Sequence, residues 1–343
     1  MKTGRLLALA AVVVAASAAA LAPARAQSPT TIRIGHASAG SMSLAVGLLL
    51  QARPDIMKKH GLIGEWSDFS ATPNNCINSI VAERIDACSH GFANMLSAAA
   101  QGAKLRAVAA YSRPQMTLVL AKSAAAAKGV APDAPLAQRV AALKGVSVAR
   151  PPKGTTGYAT LTLVLDAAGL KVEDFGTTYE MFDPTAMAAG VRNKKWEAAS
   201  WSSGPVEQAI VDGSAYRWIS VPRDASTSAD FPSHGMLISS AFADRNEDAV
   251  RRLRDAVKEA TDLLRKRDAQ ALEDLRLAFF PKMTPELYRV SIMEATSALL
   301  ESPSISPEAF EKLVAFARAS TTKGNLDAIT YDAAVDRVAR PAK

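Results

Sequence analysis

The chain has 343 residues, 49% of them hydrophobic, and a formal net charge of +7 at pH 7. That length suffices for about two domains with proper cores. The densest basic cluster, Arg251-Arg252-Leu253-Arg254, lies among acids at helical spacing and predicts an ion-paired helix face, so composition and charge argue against a nucleic-acid partner.

The N-terminus has the pattern of an export signal. Lys2 and Arg5 precede an uncharged run over residues 6–21, and Ala24-Arg25-Ala26 offers small residues at the two positions that a signal peptidase reads. A membrane anchor is the weaker alternative, because the run is shorter than the roughly 20 apolar residues that cross a bilayer. We therefore predict a cleaved signal peptide at 1–26 and a periplasmic mature chain of 317 residues with net charge +4.

Cys76 and Cys88 are the two cysteines of the chain. In an oxidising compartment they could pair, because a helix over 75–83 followed by a strand over 85–89 would bring the sulfurs to similar heights. Two separately buried thiols are the alternative, and spacing alone does not decide between them. Neither cysteine has a histidine at finger spacing, so we expect no zinc or other metal site.

A faint internal repeat organises the mature chain. Each unit reads as strand, small-residue loop, helix, strand, helix and strand. Corresponding positions recur at offsets of 114, 108 and 111 residues for the pairs Ile34/Val148, Gly61/Gly169 and Asp86/Glu197. The pattern predicts an α/β protein with two lobes, each a mostly parallel sheet flanked by helices.

The segments between and after the repeats complete this architecture. Residues 105–119 and 216–222 read as extended crossings between the lobes, 223–233 as a polar stretch without regular structure, and the tail from Glu247 as helices interrupted by prolines. We predict lobe 1 at 27–114, lobe 2 at 115–220, and a return to lobe 1 with bracing helices at 221–343. Two crossings make a hinge.

The order of these elements resembles the nitrate/sulfonate/taurine-type periplasmic solute-binding proteins of ABC transporters. The resemblance rests on Asp86-Ala87 opening a strand before a small-residue loop, Leu143-Lys144-Gly145-Val146 opening the second lobe and Gly169-Leu170 ending a helix. It covers essentially all of the mature chain. It implies a type II periplasmic binding protein fold that closes on a small molecule, needs no cofactor and presents the ligand to a membrane permease. We expect a monomer.

Ligands of open α/β sheets bind where the carboxyl ends of the strands carry their loops. The loops 38–43, 89–94, 152–158 and 200–205 should therefore converge on one cleft. Small hydroxylated residues that lead into helices suit an oxyanion, although they are also ordinary helix caps. The candidate ligand contacts are Ser38, Ser41, Met42, Asn74, Asn75, His90, Arg113, Thr155, Thr156, Tyr158, Trp201, Ser202 and His234.

Three residue types in this set define the expected ligand. Arg113, on the first crossing, has the planar fork that pairs with a carboxylate or sulfonate, with an exposed surface arginine as the alternative. His90 and His234 are either structural hydrogen-bonders or site residues. The rings of Tyr158 and Trp201 favour a ligand with an apolar or aromatic body. Together they predict a small organic anion, either a sulfonate or a carboxylate.

An enzyme on the same scaffold, of the pyrimidine-precursor or cofactor-biosynthesis type, is the leading alternative. The sequence contains no G-x-S-x-G, H-E-x-x-H or P-loop motif, and an export signal does not suit cytoplasmic biosynthesis. A ligand-sensing domain of a regulator is a second alternative, but we find no DNA-binding helix pair before the lobes. The sequence therefore favours a binding protein without catalytic residues.

Overall fold

The computed structural model describes residues 29–342. It contains two five-stranded sheets. The first consists of β1 (Thr30–His36), β2 (Leu62–Asp68), β3 (Ala87–Gly91), β4 (Leu105–Ser112) and β10 (His234–Ser239). The second consists of β5 (Thr117–Ala121), β6 (Ser147–Arg150), β7 (Thr177–Glu180), β8 (Ala198–Trp201) and β9 (Ala215–Ser220). The predicted signal peptide and its cleavage point lie outside the described residues.

Both sheets have the same topology. The strand orders are β2-β1-β3-β10-β4 and β7-β6-β8-β5-β9. In each sheet the first three strands are parallel, and the fourth runs antiparallel to both of its neighbours. That reversed strand is the one that arrives from the other sheet, so it carries the chain across the hinge. The predicted two-lobed α/β class, with mostly parallel sheets, is confirmed.

Helices cover the faces of both sheets. Those between β1 and β5 are α1 (Ala45–Ala52), α2 (Pro54–Lys59), α3 (Asn74–Val81) and α4 (Phe92–Ala99). Those of the second lobe are α5 (Lys122–Lys128), α6 (Leu136–Ala141), α7 (Thr156–Leu165), α8 (Pro184–Arg192) and α9 (Gln208–Val211). The remainder are α10 (Val221–Asp224), α11 (Ser240–Arg245), α12 (Glu247–Arg265), α13 (Ala269–Phe279), α14 (Pro285–Ser297), α15 (Pro307–Arg318) and α16 (Tyr331–Ala334). Among the described residues, no helix combines the length and the hydrophobicity that a membrane crossing requires.

The internal repeat has a physical basis in matched contacts. Gly61 and Gly169 end corresponding helices, both with φ of 66°, a left-handed conformation that glycine adopts without strain. The two acids at offset 111 also do the same work: the Asp86 carboxylate accepts from the backbone N–H of Arg33 at 2.9 Å, and the Glu197 carboxylate accepts from that of Ser147 at 2.8 Å. Each acid therefore ties the strand after it to the first strand of its own repeat unit, β1 or β6.

The hydrophobic core is divided between the lobes. One cluster packs one face of the first sheet against α1, α12 and α13, a second fills lobe 2, and a third lies on the other face of the first sheet with α4 and α15. Helix α12 contributes an apolar stripe at the spacing of a helix face, formed by Leu253, Val257, Ala260 and Leu264. The C-terminal helices thus brace lobe 1, while α14 and α15 also contact lobe 2.

The chain passes between the sheets twice, over residues 113–116 and 221–233. The proposed lobe boundaries at 114 and 220 fall between the two sets of strands. The second passage differs from the expected irregular stretch, because Val221–Asp224 forms the short helix α10. Its cap is the Ser220 hydroxyl, which accepts from the Arg223 N–H, and Pro222 near its start suits a first helical turn.

Cys76 on α3 and Cys88 on β3 form a disulfide, with their Cα atoms 6.2 Å apart. Of the two alternatives that spacing left open, the structure therefore has the bonded one. Both cysteines are fully buried within the third hydrophobic cluster, so the bond joins α3 to the sheet beside the loop that follows β3.

Candidate functional site

A cavity of about 80 Å³ lies between the lobes, where the carboxyl ends of the parallel strands face one another. All four loops that the sequence predicts to converge contribute to it. Lobe 1 supplies Ala37, Ser38, Ser41, Ser43, Leu44, Ser70, Pro73, His90, Gly91, Asn94 and His234, and lobe 2 supplies Pro151, Thr155, Thr156, Gly157, Phe182, Trp201 and Ser202. Such a volume admits several water molecules or a small solute.

Helix N-termini surround this cavity. Helix α1 is preceded by a 3₁₀ turn, Met42–Leu44, with the Ser41 and Ser43 hydroxyls 2.9 Å apart at the cavity wall. Helix α4 begins directly after Gly91, and α7 begins after Thr155, whose side chain caps it by accepting from the Tyr158 N–H at 3.1 Å. The start of a helix carries unpaired N–H groups and a partial positive charge, so the three together suit a negatively charged group.

Both histidines of the cavity are neutral at physiological pH. Burial lowers the pKa of His90 to about 4, and burial together with the nearby His90 lowers the pKa of His234 to about 3. His90 Nδ1 accepts from the Gly91 N–H at 2.7 Å, which leaves Nε2 to donate to the Pro73 carbonyl at 3.3 Å. His234 Nδ1 is 2.9 Å from the Ser233 hydroxyl. These rings act as hydrogen-bonding groups rather than cations.

Asn94 joins the two lobes across the cavity. Its side-chain oxygen accepts from the Thr156 N–H at 3.0 Å and from the Thr156 hydroxyl at 2.8 Å. Its side-chain nitrogen donates to the Gly154 carbonyl and to the Asn74 side chain, both at 3.2 Å. The carboxamide oxygen therefore occupies the N-terminus of α7, and the contact holds the lobes together.

Two aromatic residues of lobe 2 border the cavity. Trp201 is 7% exposed, and its Nε1–H is buried with no hydrogen-bond partner among residues 29–342. Phe182, which is 43% exposed, lies near the rim. An indole N–H that is buried without an acceptor is costly, so a cavity ligand with an acceptor atom would stabilise it.

Eight of the predicted contacts line the cavity, namely Ser38, Ser41, His90, Thr155, Thr156, Trp201, Ser202 and His234. Five do not. Arg113 lies outside and forms an ion pair with Asp230 at 3.0 Å, so it supplies no cation to the cavity. Tyr158 packs in the core of lobe 2, and the Arg150 guanidinium lies 5.2 Å from the centre of its ring.

The other three predicted contacts have structural partners of their own. Met42 is 1% exposed and belongs to the core of lobe 1. Asn74 lies beside the cavity and bonds Asn94 rather than lining the wall. Asn75 is exposed on α3, where its amide donates to the Thr72 hydroxyl at 2.9 Å.

Sequence reasoning missed some cavity residues, of which Asn94 and Phe182 matter most. Asn94 belongs to a loop that was expected at the cleft, but a single asparagine inside a helical pattern carries no special signal. Phe182 follows β7 and precedes Asp183-Pro184, a cap and first-turn signature that marks a helix start at a strand end. That signature places a loop at the cleft edge and was available in the sequence.

The walls of the cavity combine apolar surface with polar groups and carry no charged side chain. Within residues 29–342, the side chains that line it include no aspartate, glutamate, lysine or arginine, and no group of three or more potential metal-ligating side chains exists. The chemistry that the arrangement offers is hydrogen bonding from hydroxyls, helix N-termini, two neutral imidazoles and an indole.

A protein-family model described as the NMT1-like family matches residues 25–274. No curated protein matches the sequence. Solved structures do match. The periplasmic aliphatic sulphonate binding protein SsuA from Escherichia coli is 18% identical with a TM-score of 0.67, over 88% of this chain and 97% of that chain. The alkanesulfonate-binding protein SsuA from Xanthomonas axonopodis pv. citri, bound to MOPS, is 19% identical with a TM-score of 0.63, over 88% and 98%.

The periplasmic nitrate-binding protein NrtA from Synechocystis PCC 6803 is 18% identical with a TM-score of 0.56, over 78% of this chain and 69% of that chain. At identities this low, the structural matches show a shared fold and nothing more. The matches agree with the two-lobed architecture described above.

Proposed function

The chain belongs to the NMT1-like family, and we propose that it is the substrate-binding component of an ABC importer, which captures a small organic solute in the periplasm and delivers it to a membrane permease. The observation that carries this proposal is the cavity between two lobes that the chain joins by two crossings. Such an arrangement opens and closes by rotation at the crossings, which is how two-lobed proteins take up and release a ligand. The structural relatives named above are binding proteins for sulfonates and nitrate, and the Escherichia coli and Synechocystis proteins are periplasmic.

The polar groups of the wall favour a solute with one anionic group. Helices α1 and α4 of lobe 1 and α7 of lobe 2 start at the cavity, and each helix start is equivalent to roughly half a positive charge. A carboxylate or sulfonate accepts several hydrogen bonds there without a paired cation. Trp201 and Phe182 are suited to contact the organic body of the solute.

Binding explains the cavity better than catalysis does. Catalysis would need an activated nucleophile, a metal or a base with a suitable pKa. His90 and His234 are the titratable side chains that line the described cavity, and burial lowers the pKa of both far below neutrality. His90 is in addition engaged at both ring nitrogens by backbone groups. We therefore propose a carrier rather than an enzyme.

Isothermal titration and thermal-shift measurements on the chain from residue 27 test this proposal. The probes are methanesulfonate, MOPS, succinate, benzoate and benzamide. At least one should raise the melting temperature, and a Trp201→Ala variant should bind it more weakly, with the exposed Tyr179→Ala as an aromatic control that does not line the cavity. If no probe binds, and native mass spectrometry of the freshly purified protein detects no bound small molecule, the proposal is wrong.

Location and assembly have separate tests. We propose export to the periplasm with removal of residues 1–26, so N-terminal sequencing of the periplasmic fraction should begin at Gln27. We also propose a monomer, which light scattering coupled to size exclusion would measure. A protein retained in the cytoplasm with its first 26 residues intact would contradict the importer role.

A further inference from the structure

The first crossing joins the ends of β4 and β5, whose ladder partners line the cavity, and we call the position between these two strand ends the floor of the cleft; residues 113–116 are not themselves among the lining residues. Register pairs fix its two ends: Ser112, at the end of β4, lies opposite His234, and Thr117, at the start of β5, lies opposite Trp201. His234 and Trp201 both line the cavity. Residues 113–116 therefore join two strand ends whose ladder partners, His234 of lobe 1 and Trp201 of lobe 2, both line the cavity.

Unpaired polar groups are concentrated at this floor. Ten buried side-chain nitrogen or oxygen atoms lack a hydrogen-bond partner within residues 29–342, and six of them belong to Ser112, Gln115, Ser200, Trp201 and Ser203. Gln115 is 1% exposed, yet neither its amide nitrogen nor its amide oxygen has a partner. Buried polar groups are paired in the great majority of cases, so this concentration points to an absent binding partner.

Gln115 and Ser203 lie just beyond the end of one ladder. The antiparallel pairing of β5 with β8 ends at Thr117 and Trp201, so Gln115 and Ser203 are each two residues past the last pair, at adjacent strand ends. Ser203 is fully buried, its hydroxyl is unpaired, and its φ of 67° is a left-handed conformation that costs energy for any residue except glycine. Backbone strain of this kind persists where the surroundings require it, and here it occurs next to the cavity residue Ser202.

We infer that Gln115, Ser203 and Trp201 form a second polar subsite at the floor of the cleft, which binds an uncharged hydrogen-bonding group of the solute. This inference rests on the proposed function and narrows the solute class. A glutamine amide presents a donor and an acceptor side by side, so its natural complement is a carboxamide or another group with both. The Trp201 Nε1–H adds one donor for an acceptor atom. The solute is then bifunctional, with an anionic end at the helix N-termini and an amide-like group at the floor.

Benzamide and benzoate test the inference because they share a ring and differ in the head group. A Gln115→Leu variant, nearly equal in volume, should bind benzamide about five- to tenfold more weakly than the wild type and benzoate equally well. The exposed Gln138→Leu is the matched control and should bind both as the wild type does. A crystal structure with benzamide should contain its carboxamide within hydrogen-bonding distance of the Gln115 amide.

A second variant keeps the test valid if the Gln115→Leu protein does not fold. Ser203→Gly removes the unpaired hydroxyl and relieves the left-handed backbone, so it should melt at or above the wild-type temperature and still bind benzamide a few-fold more weakly. Equal benzamide affinity in the wild type and both variants overturns the inference. So does a wild type that binds benzoate or MOPS but not benzamide, and in that case the proposed function stands. If no probe binds, both the inference and the proposed function are contradicted.

Discussion

Closure of the lobes depends on the absence of a side chain at Gly91. A Cβ atom at this position would lie 2.0 Å from the Thr156 hydroxyl oxygen and 2.7 Å from the Thr156 Cβ, across the cleft. The φ of Gly91 is −77°, which alanine adopts freely, so the clash with lobe 2 is the obstacle to a Gly91→Ala variant. That variant should hold the lobes apart.

The size of the effect follows from the same contacts. Rotation of the Thr156 side chain would move its hydroxyl but not its Cβ, which must retreat by about 0.7 Å to reach an ordinary contact of 3.4 Å. Either movement breaks bonds to Asn94, because the hydroxyl donates to its oxygen at 2.8 Å and the Thr156 N–H at 3.0 Å. Loss of two such bonds costs about 2 kcal/mol, or roughly thirtyfold in the ratio of closed to open protein.

Small-angle scattering of the unliganded protein measures this shift. The Gly91→Ala variant should have a larger radius of gyration than the wild type and should bind any probe that the wild type binds more weakly. Gly40→Ala is the matched control in the same cleft, since a Cβ there meets no atom within 4 Å. Wild-type scattering and affinity in the Gly91→Ala protein would refute the reasoning. Restored closure in a Gly91→Ala, Thr156→Gly double variant would support it.

Three features outside the cavity should affect stability, namely a buried carboxyl group, a disulfide and a hydrogen bond between strands. Burial raises the pKa of Glu207 to about 7 from an ordinary 4.5, so the stabilisation from protonation is complete below pH 4.5 and is lost as the pH rises through 7. Relative to a Glu207→Gln variant, urea titrations should find that the wild type loses roughly 3 kcal/mol over that range, and parallel pH profiles would contradict this. Reduction of the Cys76–Cys88 disulfide, which joins residues 12 apart in sequence, should lower the unfolding free energy by about 2 to 3 kcal/mol, measured as melting with and without dithiothreitol. An Asp86→Asn variant weakens the charged bond to the Arg33 backbone and should lose roughly 1 to 2 kcal/mol in chemical denaturation, whereas a wild-type midpoint would argue against the tether.

The architecture could be predicted because it depends on repeated local signals. Gly61 and Gly169 end helices in the same left-handed conformation, and Asp86 and Glu197 tie strands in the same way, so the offsets in sequence reflect repeated contacts. Loops at the carboxyl ends of strands then had to meet at the cleft. This reasoning identified eight residues that line the cavity.

The remaining site residues depend on contacts that no local pattern encodes. Arg113 lies on the predicted crossing, but its side chain pairs with Asp230 of the other crossing and does not line the cavity. Asn94 is important because Thr156 of the other lobe meets it, and nothing near Asn94 in sequence indicates that partner. The direction of a side chain across a hinge is a tertiary property, which spacing cannot supply.

The charge-free lining has a consequence for how a solute would close the lobes. Helix starts α1 and α4 belong to lobe 1, whereas α7 belongs to lobe 2, so an anionic group bound to lobe 1 attracts α7 toward it. The Asn94 oxygen accepts from the first N–H of α7, so a neutral carboxamide occupies the position that such an anion would take. A solute anion would compete with the Asn94 carboxamide for the N-terminus of α7. The anion would bind there more strongly, because a full charge interacts with a helix N-terminus more strongly than a neutral carboxamide does. Ligand binding would therefore stabilise a closed conformation that already exists. The solute must bind the N-terminus of α7 more strongly than Asn94 does.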